Sequence, residues 1–411
     1  MNILYLSQYF PPEIGATQTR AYEMTSNLVA FGHKVTVLTE MPNHPSGIIP
    51  PEYRGKFRAT EELDGIQVVR NWVLASPTKD FQGRMLFYLS FMSTSILNSL
   101  FLRSSGFDLV YATSPPLFAG LAGLIIAKLR RIPFVLEVRD LWPESAMELG
   151  FLNNPRSVKW GLKMADLCHR NAVSIVCVTE GIRKKLLDKN IPAKKVFLIR
   201  NGTNPEKHRY VFDGELQAKL GWQNKFVVLY AGVHGVAQGL ETVLEAASSL
   251  ADREEIRFAF IGEGPCKRNL RKTANDLGLR NIDFLPEVPT REISRYVSLS
   301  GACLVPLRKK DLFMGALPSK IFDTWACGKP VILSIDGEAR NEVEAAKGGI
   351  FVDPENQVEI ARAIMEMYRD PDGARQMGEN GRQYINQKGL IRSLQARQLE
   401  EILRNCLPGK N

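Results

Sequence analysis

The 411-residue sequence has little of what would build a disulfide-linked or metal-held framework. Its six cysteines show no Cys-x-x-Cys spacing, which argues against both a zinc site and a disulfide scaffold. Most of them lie in apolar segments, as buried reduced thiols do. Asp-x-Asp occurs once, as Asp370-Pro371-Asp372 after a predicted helix rather than at the end of a predicted strand, and we predict no metal. We predict no cofactor either, because no G-x-G-x-x-G dinucleotide fingerprint is present.

Two further absences bear on location and partners. Residues 1–13 have no basic region before a long apolar run, so they predict a first β-strand rather than a signal peptide, and hence a cytoplasmic protein. The net charge of +9 suits nucleic acid, an anionic membrane or an anionic small substrate. Because the sequence contains neither an aromatic-basic ribonucleoprotein motif nor a zinc finger, we predict no nucleic-acid partner.

Short apolar runs alternate with amphipathic segments along the whole chain. Residues 3–6 and 35–39 predict parallel strands on either side of a helix over 17–31, and the same pattern restarts at Phe226 after a polar connector. The length allows two domains. The predicted fold class is therefore α/β, with two Rossmann-like doubly wound domains facing a cleft. We place these domains at 1–204 and 205–389, followed by a terminal helix over 390–411 that crosses back onto the first domain.

Residues 315–332, GALPSKIFDTWACGKPVI, are the most informative stretch. Ser319 is predicted to cap a helix by accepting from its free N–H groups. Lys320 in the first turn adds its charge to the helix N-terminus, and Asp323 lies on the same face one turn later. Gly328 then ends the helix before a buried strand. A cation for phosphate beside a carboxylate for hydroxyls predicts a nucleotide-sugar site; the alternative is a capped surface helix.

Polar residues also follow the strands of the first half. Asp140, with Arg139 beside it, comes directly after a predicted strand and is a candidate acceptor base or hydroxyl ligand. The same pair would also cap a following helix. His44 is a candidate acceptor contact or an exposed loop histidine. Gly15 precedes the first helix, where backbone N–H groups face an anion, or where a glycine serves turn geometry alone.

Two apolar stretches lie in the first half of the chain. Residues 85–102 carry no charge over eighteen positions but include several hydroxyl side chains, and residues 117–129 are followed by Arg130 and Arg131. Apolar surface beside basic clusters is typical of a protein that docks on an anionic leaflet without spanning it. The alternative is that both stretches are buried helices covering a parallel sheet.

The sequence of residues 315–332 closely resembles the donor-site helix of GT-B glycosyltransferases, particularly the family-four retaining enzymes. The loop before the first helix also resembles the opening of those enzymes. The run Arg139-Asp140-Leu141-Trp142-Pro143 resembles that of bacterial surface-polysaccharide transferases similar to the N-acetyl-L-fucosaminyltransferases. The resemblance covers nearly the whole chain.

The resemblance implies a metal-independent hexosyltransferase that acts with retention by a front-face route. The implied donor is a UDP-linked N-acetylated amino sugar, and the implied acceptor is a polyprenyl-diphosphate-linked saccharide at the inner face of the membrane, for O-antigen or capsule synthesis. The catalytic candidates are Lys320, Asp140 and Gly15. The acceptor-binding candidates are His44, Arg139 and Asp140. The donor-binding candidates are Gly15, Ala16, Asn201, Gly232, Glu263, Arg268, Val288, Arg308, Pro318, Ser319, Lys320 and Asp323.

The sequence departs from the family at four positions. Where the family has two glutamates eight positions apart, this chain has Gly315 and Asp323, and Val233 and Gln238 replace the usual Arg and Lys for the diphosphate. Lys320 is our first choice for the compensating cation, since charge on the leaving diphosphate grows in the transition state. Arg268, Arg308 or Lys309 are expected to assist. Two alternatives stay open: a non-catalytic partner of a polysaccharide assembly complex, and a nucleotide-sugar 2-epimerase.

Overall fold

The structure is a computed structural model that describes residues 1–44, 46–76, 81–102, 106–148, 150 and 152–407. The chain forms two compact units. One unit comprises Met1–Arg200 together with Ser393–Asn411, and the other comprises Asn201–Arg392. Each unit is built on one twisted sheet.

The sheet of the first unit has eight strands in the order β3-β4-β2-β1-β5-β6-β7-β8. All neighbouring pairs are parallel except β3 with β4. The strands are β1 (Asn2–Leu6), β2 (Lys34–Glu40), β3 (Arg58–Leu63), β4 (Ile66–Asn71), β5 (Leu109–Ser114), β6 (Phe134–Val138), β7 (Ser174–Cys177) and β8 (Val196–Leu198). The helices between them are α1 (Ala16–Ala30), α2 (Phe81–Leu100), α3 (Leu117–Arg130), α4 (Glu144–Glu148), α5 (Pro155–Asn171) and α6 (Glu180–Asp188).

The sheet of the second unit has six parallel strands in the order β11-β10-β9-β12-β13-β14. They are β9 (Phe226–Ala231), β10 (Ile256–Ile261), β11 (Ile282–Leu285), β12 (Ala302–Pro306), β13 (Val331–Ser334) and β14 (Gly349–Phe351). The helices are α7 (Gly214–Leu220), α8 (Leu240–Ser249), α9 (Lys267–Asp276), α10 (Ile293–Leu299), α11 (Lys320–Ala326), α12 (Glu338–Ala346), α13 (Gln357–Arg369) and α14 (Pro371–Gln387). The last helix, α15 (Arg392–Asn405), packs Ala396, Leu399 and Leu403 into the core of the first unit.

The central strands of both sheets are buried on both faces because helices cover each side. Continuous apolar runs such as β5 and β13 are what such strands require. The predicted α/β fold class is therefore confirmed. The elements that the sequence prediction did not name include the edge hairpin β3–β4, the last strand β14 and the helix α14, whose composition is polar and glycine-rich.

The two apolar stretches of the first unit form α2 and α3, and they differ in exposure. Most of α3 is buried, as the alternative reading of that stretch expects. By contrast, α2 leaves one apolar stripe open to solvent: Leu86, Leu89, Leu97 and Leu100. These positions repeat at helical spacing, so they lie on one face of the helix. Within the described residues, no helix has both the length and the apolar character needed to span a membrane.

Candidate active site

Glycines form the strand ends at the centre of the second sheet. Gly232 directly follows β9 and has φ 150°, and a Cβ placed there would lie 2.7 Å from Nζ of Lys320. Gly262 follows β10 with φ 132°, and a Cβ there would collide with the carbonyl of Gly232. Because glycine alone allows this conformation and this approach, the two loops pack backbone against backbone.

Lys320 reaches this place from the first residue of α11. Its Nζ lies 4.4 Å from the centre of the Tyr230 ring, over the end of β9. No described carboxylate lies within ion-pair distance of the ammonium, and burial lowers its pKa to about 8. A cation without a carboxylate partner, held at glycine-rich strand ends, is a suitable site for an anion such as phosphate.

Asp323 lies one turn further along α11 and faces a residue that the sequence did not suggest. Its Oδ1 is 3.6 Å from Nε2 of His208, which is buried, and Nδ1 of that histidine is 3.5 Å from Oγ of Ser294. Asp323 therefore has a fixed polar neighbour as well as its place beside Lys320. In the same region, Nδ2 of Asn201 donates to the carbonyl of Leu317, which positions the loop containing Pro318.

The structure corrects the predicted role of Ser319. Its backbone is already helical, with φ −59° and ψ −26°, and its side chain makes no capping hydrogen bond. An N-cap residue normally has extended dihedrals that aim its hydroxyl at the first free N–H groups. Here the backbone carbonyl of Ser319 instead accepts from the N–H groups of Phe322 and Asp323.

His234 is a second residue that the sequence prediction did not single out. The side chain is fully buried between the Tyr230 and Phe260 rings, and neither ring nitrogen has a hydrogen-bond partner among the described residues. Burial, followed by the nearby charge of Lys267, lowers its pKa to about 4, so the ring is neutral at pH 7. The available signal was its position between two glycines directly after a buried strand.

Lys267, a third such residue, joins the loops that follow β10 and β11. Its Nζ donates to the carbonyls of Gly262 and Leu285 at 2.7 and 2.8 Å and to Oε1 of Glu263 at 2.6 Å. The Glu263 carboxylate thus forms an ion pair with the first residue of α9, Lys267. Val288 lies just beyond β11 and packs on the core, while Arg268 is exposed.

Arg308 and Lys309 are placed differently from Lys320. Arg308 forms ion pairs with Glu241 and Glu355, both at 3.1 Å, and its Nε donates to the carbonyl of Val236. Lys309 is exposed, and its backbone N–H donates to Glu355. Because two carboxylates already compensate Arg308, Lys320 is the better candidate for a cation that binds a diphosphate.

In the first unit, Gly15 and Ala16 stand at the start of α1, and His44 lies on the neighbouring loop. The backbone N–H groups of Asn43 and His44 both donate to Oε1 of Glu13 at 2.8 Å. The His44 side chain is exposed, and its ring lies 6.4 Å from that of Tyr9. Glu13 therefore fixes the loop that carries His44 beside the end of β1.

Arg139 and Asp140 follow β6. Burial lowers the pKa of Arg139 and raises that of Asp140, whose carboxylate accepts from the Ser145 hydroxyl and from the N–H of Leu141. Ser145 belongs to α4, so this contact joins Asp140 to that helix through a side-chain hydroxyl and is not the capping of backbone N–H groups that the alternative expects. Beneath them, Glu137 of β6 is buried and forms an ion pair with Arg20 of α1 at 2.8 Å.

Fold and candidate site together define a class of protein: an α/β protein with two doubly wound, mainly parallel sheets and a candidate anion site at the strand ends of the second. Residues 213–384 match the family described as glycosyl transferases group 1, and residues 15–202 match the glycosyl transferase 4-like domain. The chain belongs to this glycosyltransferase family.

Relatives in bacteria agree with this assignment. The chain is 26% identical over 381 residues to the putative colanic acid biosynthesis glycosyl transferase WcaI of Escherichia coli K12, covering 89% of this chain and 92% of the relative. It is 25% identical over 244 residues to the probable glycosyltransferase WbjE of Pseudomonas aeruginosa, covering 57% of this chain and 59% of that one. The chain is accordingly an enzyme of the glycosyltransferase class.

Solved structures confirm the fold. Sucrose-phosphate synthase from Thermosynechococcus elongatus superposes with a TM-score of 0.74 at 20% identity, covering 98% of both chains. Anabaena HepE, solved with UDP and glucose, gives a TM-score of 0.75 at 16% identity, covering 98% of this chain and 99% of that one. The GT-B fold expected from the sequence is thus confirmed.

Proposed function

We propose that this chain transfers a sugar, with retention, from a UDP-linked N-acetylated amino sugar to a lipid-linked saccharide during synthesis of a bacterial surface polysaccharide. The donor half rests mainly on the Lys320 ammonium, which has no carboxylate partner among the described residues and lies against the glycine loop that follows β9. The UDP bound in the similar HepE structure supports the choice of nucleotide.

Lys320 replaces the missing family cations in this proposal. The leaving diphosphate gains negative charge as the glycosidic bond breaks, and a cation already in place stabilises that charge without reorganising. A donor phosphate oxygen takes the proton of the acceptor hydroxyl on the same face. Asp323, beside His208, binds hydroxyl groups of the donor. Glycine at 232 lets the Lys320 ammonium approach the backbone at the end of β9, and glycine at 262 lets the neighbouring loop pack against that backbone.

The acceptor half rests on the relatives and on the surface of the first unit. Two bacterial relatives are named for colanic acid biosynthesis and as a probable glycosyltransferase, and the first covers most of the chain. The exposed leucine stripe of α2 lies on a helix packed against α3, which ends in Lys128, Arg130 and the following Arg131. Apolar side chains beside basic ones favour peripheral contact with an anionic membrane, where a lipid-linked acceptor resides.

Calorimetric titration of UDP, GDP and ADP tests the donor half. We expect UDP to bind wild type most tightly and Lys320→Ala to weaken it by about tenfold or more, since a charge-assisted contact to phosphate is lost. Lys272→Ala, an exposed lysine on α9, is the matched control and should bind as wild type does. Equal affinity of wild type and Lys320→Ala for every nucleotide would contradict the assignment.

A further inference from the structure

A trough of about 600 Å³ lies between α4 and the first half of α5, in the first unit. Its apolar part comprises Met147 and Leu152, together with Val158 and Leu162 from α5. Lys159 and Lys163 line the same trough. The volume lies within the range of small-molecule sites.

The α5 residues of the trough form two rows. Val158 and Leu162 are four positions apart, and Lys159 and Lys163 stand one position after each of them. On a helix, residues four apart have Cβ atoms about 5–6 Å apart on one face. An apolar row therefore lies beside a row of two cations, and both belong to the same depression.

The two lysines are free to bind an anion. Both are exposed, and neither lies within ion-pair distance of a carboxylate in the described part of the chain. Nζ of Lys163 lies 5.8 Å from the centre of the Trp160 ring. Lys189 differs from these two lysines, because it forms an ion pair with Glu144 of α4.

One wall of the trough, α4, also contacts the strand end that carries the acceptor candidates. Asp140 directly follows β6, and its carboxylate accepts from Ser145 of α4, the helix to which the trough residue Met147 belongs. A ligand in the trough would therefore contact the same helix that binds the Asp140 carboxylate.

We propose that this trough binds the lipid carrier of the acceptor, with a segment of isoprenoid chain on Met147, Leu152, Val158 and Leu162 and the diphosphate on Lys159 and Lys163. An isoprenoid diphosphate has this combination of chemistry: a branched apolar chain and two adjacent phosphates, matched by two ammonium groups one turn apart. The inference rests on the proposed lipid-linked acceptor and adds the place and the residues that hold it.

The test uses farnesyl diphosphate as the probe, titrated into the full chain by calorimetry. We expect Lys159→Glu/Lys163→Glu to weaken binding by about tenfold or more. The control Lys34→Glu/Lys184→Glu makes the same charge change at two exposed lysines of the same unit and should leave the affinity unchanged. Leu162→Gln should weaken binding as well, whereas Leu167→Gln, an exposed leucine of α5 that does not line the trough, should not.

Two further ligands separate the sources of binding. Farnesol lacks the diphosphate and pyrophosphate lacks the chain, so each should bind much more weakly than farnesyl diphosphate. The trough assignment is wrong if pyrophosphate binds as tightly as farnesyl diphosphate and displaces it completely. It is also wrong if Lys159→Glu/Lys163→Glu no longer binds anionic vesicles but keeps its affinity for farnesyl diphosphate. UDP titration distinguishes the two proposals. If wild type does not bind UDP but does bind farnesyl diphosphate, the donor-site proposal is wrong and the trough proposal stands.

Discussion

Nζ of Lys320 lies 4.4 Å from the centre of the Tyr230 ring, an ammonium held over an aromatic face at the end of a parallel strand. The aromatic face partly compensates the charge that no carboxylate neutralises. Burial is the main cause that lowers the pKa of this lysine to about 8. The cation is therefore poised between its charged and neutral forms only slightly above neutral pH.

The lowered pKa of Lys320 predicts that the affinity for nucleotide falls at alkaline pH. The protonated lysine binds the diphosphate, so affinity for UDP should fall by about tenfold between pH 7.5 and pH 9.5, as the pKa of about 8 is passed. Calorimetry across that range measures it. Lys320→Met should bind UDP weakly at every pH; a wild-type affinity that stays constant up to pH 9.5 would contradict the role of the lysine.

The same shift makes a prediction about stability. The Lys320 side chain binds its proton less tightly in the folded state than in the unfolded chain, where the pKa of a lysine is near 10.5. Between about pH 8 and 10.5 the unfolded state therefore holds more protons, and this group makes folding more favourable as pH rises. Lys320→Met should consequently not lower the free energy of unfolding at pH 7, as urea unfolding can show. A marked loss of stability would mean that Lys320 has a structural partner.

Gly264 provides a steric test of the loop arrangement. Its φ is 157°, and an added Cβ would lie 2.7 Å from the backbone N of His234. Gly264→Ala should therefore displace the loop after β9, weaken UDP binding and lower the free energy of unfolding by roughly 1–3 kcal/mol. Gly106→Ala, where a Cβ meets open space, is the control and should change neither quantity. Full UDP affinity in Gly264→Ala would show that the loop contact is unimportant.

The parts of the molecule that sequence could predict are those coded locally. Lys320 was placed at a strand end because the helix stop at Gly328, whose φ is 68°, and the buried strand after it are written in adjacent residues. Lys267 and His208 were missed because the residues they join are far apart in the sequence: Lys267 contacts Leu285, 18 positions on, and His208 contacts Asp323.

The β3–β4 hairpin, which we did not predict, and the Ser319 cap, which we predicted wrongly, both concern local sequence. The β3–β4 hairpin turns at Asp64-Gly65, both with positive φ, and its first strand alternates exposed and half-buried residues. An Asp-Gly pair between such runs is a strong hairpin signal. The predicted Ser319 cap failed for the opposite reason: the local pattern was right, but the helical dihedrals of this residue turn its hydroxyl away from that role.

The buried pair of Arg20 and Glu137 predicts a strong thermodynamic coupling. Arg20 also donates to the carbonyls of Ile199 and Arg200, so it joins α1, β6 and the end of the unit. Arg20→Met or Glu137→Leu alone should each lower the free energy of unfolding by about 3–5 kcal/mol, because each leaves an uncompensated buried charge. The double variant should lose clearly less than the sum, as urea unfolding measures. Additive losses would mean that the two charges are not coupled.

The leucine stripe of α2 predicts membrane binding that depends on apolar surface as well as charge. Leu86 and Leu97 are 53% and 47% exposed on one face of a helix. Leu86→Gln/Leu97→Gln should weaken co-sedimentation with vesicles containing phosphatidylglycerol by about tenfold or more, since each buried leucine is worth roughly 1.5–3 kcal/mol.

The matched control changes two equally exposed apolar residues of the second unit. Leu277→Gln/Val358→Gln, at positions 49% and 69% exposed, should bind vesicles as wild type does, because neither belongs to the stripe. Raising the salt concentration should weaken wild-type binding by screening the basic residues at the end of α3, while purely zwitterionic vesicles should bind less at any salt. If the α2 variant and the control bind anionic vesicles equally well, the stripe has another partner, and the lipid-linked acceptor must be reached by a different surface.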